Sequence, residues 1–103
     1  MTEVCIVGWS HTPFGKLVDD DIESLIARVA ASAIEDAGLT PADIDGVFVG
    51  YFNSGFSKQD FPSSLPMQAL PDLRFKPAAR YENACASGSA AIHVVVGFRK
   101  TCA

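Results

Sequence analysis

Two short apolar runs, at residues 3 to 9 (EVCIVGW) and 46 to 52 (GVFVGYF), stand on either side of one amphipathic repeat, and this order limits the possible folds most. Apolar runs without alternation are typical of strands covered on both faces, the usual state of a parallel sheet. Between them Ile22, Leu25, Ile26, Val29, Ala33 and Ala37 recur at helical spacing, with Glu23, Arg28, Ser32 and Glu35 on the other side. The spacing predicts an amphipathic helix. Asp19, Asp20 and Asp21 supply its N-cap, and Gly38 closes it with Leu39 as the hydrophobic contact of the cap. Thr40 and Pro41 then open a single turn through Asp43. A crossover of this kind should be right-handed and make its two strands parallel.

Residues 53 to 78 are broken by Pro62, Pro66, Pro71 and Pro77, which leaves room only for a short helix from Ser63 to Leu70 with Met67 and Leu70 turned inward. A connection this long and irregular tends to be functional or to meet a partner. Phe52, Phe56 and Phe61 are expected to pack in a core or an interface. Lys76 to Asn83 reads as a third strand, and a helix running to Lys100 follows it. Ile92, Val94, Val95, Val96 and Phe98 point all round that helix, so it should be buried on every side. The fold class is therefore α/β, a βαβ-type parallel sheet with a buried helix after the third strand. At 103 residues, with no repeat and no linker, the chain is one unit.

Asn83 is a good N-cap, which puts Cys85 at the second helical position, beside amides with no partner inside the helix. A thiolate is favoured there, and the same amides can stabilise an oxyanion on an acyl carbonyl. Ala84, Ala86, Ser87, Gly88, Ser89, Ala90 and Ala91 are all small and let a substrate approach. Cys85 is thus either a nucleophile or a small residue filling a core, since free cysteine is often buried as a hydrophobe. Cys5 and Cys102 take the second role. His93 lies about 12 Å along the same helix and cannot serve Cys85 as a base; it reads as a buried or interface histidine. His11 follows the first strand, on the side where α/β sheets gather their sites.

Several functions are excluded or disfavoured. A formal charge of −4 with no basic stripe argues against nucleic acid. Three cysteines, odd in number and widely spaced, suit a reducing compartment and form no metal set. The glycine fingerprints of nucleotide binding are absent. The start of the chain lacks the basic residues and long apolar stretch of a secretory signal, and no run is long enough to cross a bilayer. The expectation is a cytoplasmic protein without membrane contact. Hydrophobic residues make up 49% of the chain and charged ones 19%, more apolar than a small free-standing domain needs.

NACASGSAA, following a strand and opening a helix, resembles the nucleophile segment of the thiolases, an Asn before Cys-x-Ser-Gly and further small residues. IVGWSHTPFGK resembles that family's opening strand and loop, EDAGLTPADIDGVFVGYF its first helix end and second strand, and SSLPMQALPDL its short helix. The similarity runs from about residue 3 to residue 97 and is greatest for the sterol-carrier-protein-type and archaeal-type members. It implies that Cys85 takes an acyl group from acyl-CoA, and that a second acyl-CoA enolate or free CoA resolves the thioester, making or breaking a 3-ketoacyl-CoA carbon–carbon bond. It implies coenzyme A thioesters as substrates, no bound cofactor, and a homodimer or homotetramer. In thiolases the activating histidine and second acid/base cysteine come later in a longer chain, and the loop holding His11 carries no catalytic group. Residues 1–103 are therefore expected to be an incomplete N-terminal thiolase domain, inactive alone. A ketoacyl-synthase-like fragment and a non-catalytic α/β interaction module are the alternatives.

Overall fold

The computed structural model of the chain describes residues 3–52 and 61–97. In order it forms α1 (Ile22–Asp36), a 3-10 turn at Pro41–Asp43, β1 (Val47–Gly50), a 3-10 turn at Pro62–Ser64, α2 (Pro66–Ala69), a 3-10 turn at Pro71–Leu73, β2 (Ala78–Tyr81) and α3 (Ser87–Gly97). This is the α/β class expected. β1 and β2 pair in parallel, with Val47 opposite Ala78 and Gly50 opposite Tyr81. Side chains alternate across such a pair, so Phe48, Gly50, Ala79 and Tyr81 share one face. The Phe48 and Tyr81 rings stack there with centroids 6.0 Å apart.

The caps of α1 are the ones its sequence predicts. Asp21 Oδ1 accepts the Ser24 N–H at 2.8 Å, and Ser24 Oγ accepts the Asp21 N–H at 2.9 Å. At the other end Gly38, at φ 70°, and Leu39 donate to the Glu35 and Ile34 carbonyls at 2.9 and 3.1 Å, the paired bonds of a glycine-ended helix. Thr40 caps the following turn, where Asp43 Oδ2 accepts its N–H at 2.8 Å.

Three expectations change. Residues 3 to 9 join no ladder among the described residues; the parallel pair consists of the second and third expected strands. The segment lies instead along α1. A Cβ on Gly8 would sit 2.7 Å from the Ala33 carbonyl oxygen, and the Trp9 N–H donates to Asp36 Oδ2 at 3.1 Å. An apolar run supplies faces fit for burial, but a strand also needs a neighbour to bond, and none of the described residues stands beside this one as a strand. Ile6 is accordingly 83% exposed, and Cys5, expected to fill a core, is exposed.

Second, α3 is not buried on every side. Ser87 and Ala91 face inward, while Ile92 remains 59% exposed and Val95 and Val96 are also exposed. Third, the interior lies mainly in the proline-rich connection. Leu65, Leu73, Pro62 and Pro66 are buried there, whereas Met67 and Leu70 are only partly covered and Phe52 and Phe61 are exposed. Pro62, Pro66 and Pro71 each take the first position of a turn, where a fixed φ helps and the missing N–H costs nothing. The Pro62–Ser64 turn packs on both strands, α2 packs on α1, and the Pro71–Leu73 turn packs on the Pro41–Asp43 turn. Burying a leucine side chain contributes about 1.5–3 kcal/mol. Phe56, the helix end expected at Lys100, and Cys102 lie outside the described residues.

Candidate active site

Cys85 sits between β2 and α3. The chain leaves β2 at Tyr81 and turns sharply before the helix begins at Ser87. Two overlapping turns make the corner: the Ala86 N–H donates to the Asn83 carbonyl at 2.9 Å, and the Ser87 N–H to the Ala84 carbonyl at 3.2 Å. Cys85 is central in both. Ala84 takes φ 45°, the left-handed region that alanine adopts at a cost of about 1–2 kcal/mol.

Ser87 latches this corner. Its hydroxyl accepts the Asn83 N–H at 2.8 Å and donates to the Ala84 carbonyl at 2.7 Å, and the residue is only 5% exposed. The Glu82 carboxylate accepts the Ala84 N–H. The helix proper opens where Ala86 accepts the Ala90 N–H at 2.9 Å. Asn83 is therefore not the N-cap. Cys85 stands one residue outside the cap, on the corner and not in the first helical turn, because Ala84 leaves the helical region and the Ala86 and Ser87 N–H groups bond three residues back instead of four. The thiol is exposed. A strand, a tight corner and a helix likewise raise the nucleophile in the hydrolase elbow.

β1 braces the corner from behind. A Cβ on Gly50 would lie 2.6 Å from the Ser87 carbonyl carbon and 2.8 Å from the Gly88 Cα, so only glycine lets α3 come this close. The Cys-x-Ser spacing carries the signal for the latch, which a reading of Ser87 as merely small passes over.

Neither histidine joins Cys85. His93 is exposed on α3, so it is not buried within this chain. His11 lies between the Trp9 and Phe14 rings, at 5.2 and 5.7 Å, with Nδ1 2.8 Å from the Thr12 carbonyl oxygen. Among the described residues no side chain hydrogen-bonds the Cys85 thiol, and no group of His, Cys, Asp and Glu could hold a metal ion. No described helix is long and apolar enough to cross a membrane.

The family model "Thiolase, N-terminal domain" matches residues 4–98. This chain belongs to the thiolase family. Among curated relatives it is 41% identical over 93 residues to an acetyl-CoA acetyltransferase of Methanothermobacter thermautotrophicus, covering 89% of this chain and 24% of that protein. It is 38% identical over 97 residues to an acetyl-CoA acetyltransferase of Methanocaldococcus jannaschii, covering 93% of this chain and 24% of the relative. The chain thus spans about a quarter of the length of these thiolase-family relatives.

Proposed function

We propose that residues 1–103 are part of an incomplete N-terminal thiolase domain and carry the nucleophile of a thiolase-type acyltransferase. Cys85 attacks the carbonyl of an acyl-CoA; the new carbon–sulfur bond forms as the bond to the CoA sulfur breaks, and CoA leaves as a thiol once protonated. A second acyl-CoA enolate, or free CoA in the opposite direction, resolves the thioester. The substrates are CoA thioesters and the role is in lipid metabolism, in the cytoplasm, by a homodimer or homotetramer.

One observation carries this reading: the exposed Cys85 thiol on a latched corner at the end of a parallel strand. The two acetyl-CoA acetyltransferase relatives support the substrate class. Alone the chain completes no turnover, since passing the acyl group on needs a base within hydrogen-bond reach and neither His11 nor His93 bonds the thiol, whereas a single slow acetylation needs only the fraction of Cys85 present as thiolate.

Incubation with acetyl-CoA followed by mass spectrometry tests it. The expected result is one acetyl group on the Cys85 peptide, absent from a Cys85→Ser chain. A folded chain that stays unmodified, or one acetylated equally at Cys5 and Cys102, would favour the non-catalytic module.

A further inference from the structure

Ala84, the residue before Cys85, holds φ 45°, and side chains take both of its backbone polar groups. On one side the Glu82 carboxylate accepts the Ala84 N–H. On the other the Ser87 hydroxyl donates to the Ala84 carbonyl at 2.7 Å. Alanine enters the left-handed region only against a clash of its Cβ with the following carbonyl, so other groups must hold it there.

Glu82 has no other task among the described residues. Its side chain is exposed, and there it forms no ion pair and no second hydrogen bond. An ionised carboxylate accepts an amide N–H more strongly than a neutral oxygen does, which suits it to this work at the surface. The conformation it opposes is the one suggested by residue type. With Ala84 in the right-handed region, Asn83 could cap α3 one turn earlier, and Cys85 would fall inside the first turn of the helix.

We propose that Glu82 is a positioning residue for Cys85: by holding the Ala84 N–H, its carboxylate keeps Ala84 left-handed and the thiol on the corner outside α3. This role rests on the reading of Cys85 as the acyl acceptor. Glu82 acts through Ala84 and not on the substrate.

Five chains test the proposal: the unaltered one, Glu82→Ala, Glu82→Gln, Ala84→Gly, and Glu82→Ala combined with Ala84→Gly. Each is assayed for acetylation of Cys85 by acetyl-CoA. In the chains that keep Ala84, nuclear magnetic resonance reads its N–H to Cα–H coupling, which differs between left-handed and right-handed backbone. Glu82→Ala should move that coupling to the right-handed value. It should also slow acetylation about fivefold or more, the left-handed penalty of alanine expressed as a lost population of the corner. Glu82→Gln, whose amide oxygen accepts the same bond, should keep most of the rate. Glycine takes positive φ without that penalty, so beside Ala84→Gly the loss of Glu82 should slow acetylation less than about twofold. A general loss of stability would not be rescued in this way. If no chain is acetylated, the acyl-transfer reading falls and the coupling alone decides the role of Glu82. An unchanged coupling in Glu82→Ala, a Glu82→Gln chain as slow as Glu82→Ala, or a Glu82→Ala chain that Ala84→Gly does not restore would each overturn it.

Discussion

The Ser87 hydroxyl has one hydrogen, and the Ala84 carbonyl takes it, while one of its lone pairs holds the Asn83 N–H. With both in use, Ser87 shapes the corner and has no hydrogen left to donate to a carbonyl bound at Cys85. Ser87→Ala would leave the Asn83 N–H without its partner in a partly covered site, while the Ala84 carbonyl keeps the N–H of residue 87. The expected cost is about 1–3 kcal/mol, read from urea denaturation, together with slower acetylation of Cys85 as the corner loosens. The small residues around Cys85 stand out in the sequence and make it legible there as a candidate. Its position relative to the helix is not legible, because Asn83 is a good cap by type. Residue type alone does not show that Ala84 takes φ 45°, which turns the chain at the thiol and moves the helix start past it.

At the scale of elements, β1 and α3 are held in register by the absence of a single carbon. Gly50→Ala would drive a methyl into the Ser87 carbonyl, whose carbon is 2.6 Å from where the Cβ must go. Backbone cannot swing away as a side chain can, so α3 must shift. The expected loss is about 1–3 kcal/mol, measured by thermal melting, with the reactivity of Cys85 changed as well. The turns before the sheet depend on pH. Hydrogen bonds from the Thr40 backbone and hydroxyl hold the Asp43 carboxyl below its usual value of 3.8, and bonds from Arg28 and Ser24 do the same for Asp20. Groups with lowered values stabilise the fold fully above that ordinary value and lose the effect as the pH falls below it, through their folded values. Melting temperature should therefore drop on acidification below about pH 4, and Asp43→Asn should flatten part of that drop.

Over the whole molecule, the boundaries of α1 and the cap at Gly38 are readable in the sequence, because each rests on spacing or on one residue's conformational freedom, whereas residues 3 to 9 are the parallel partner expected for residues 46 to 52 and the observed one is β2. The position of the core is not. Leu65 and Leu73 stand eight apart among prolines, and no period reveals that three short turns bring both inward. The first apolar run has the composition of a strand, but pairing is a relation between two segments and leaves no mark in one of them. Its exposed side chains, with Ile92 and Val95 on α3, give the described residues an apolar outside larger than their inside.

The placement of Leu65 and Leu73 bears on how this chain tolerates change. Stretches joining two strands are where proteins usually absorb gained or lost residues, since little depends on them. Here the joining stretch is itself the molecule's keel. Trimming residues 61 to 73 would resemble deleting a central helix elsewhere, and variation in length should be scarce there and commoner at the loop around Gly15, where added atoms would meet nothing.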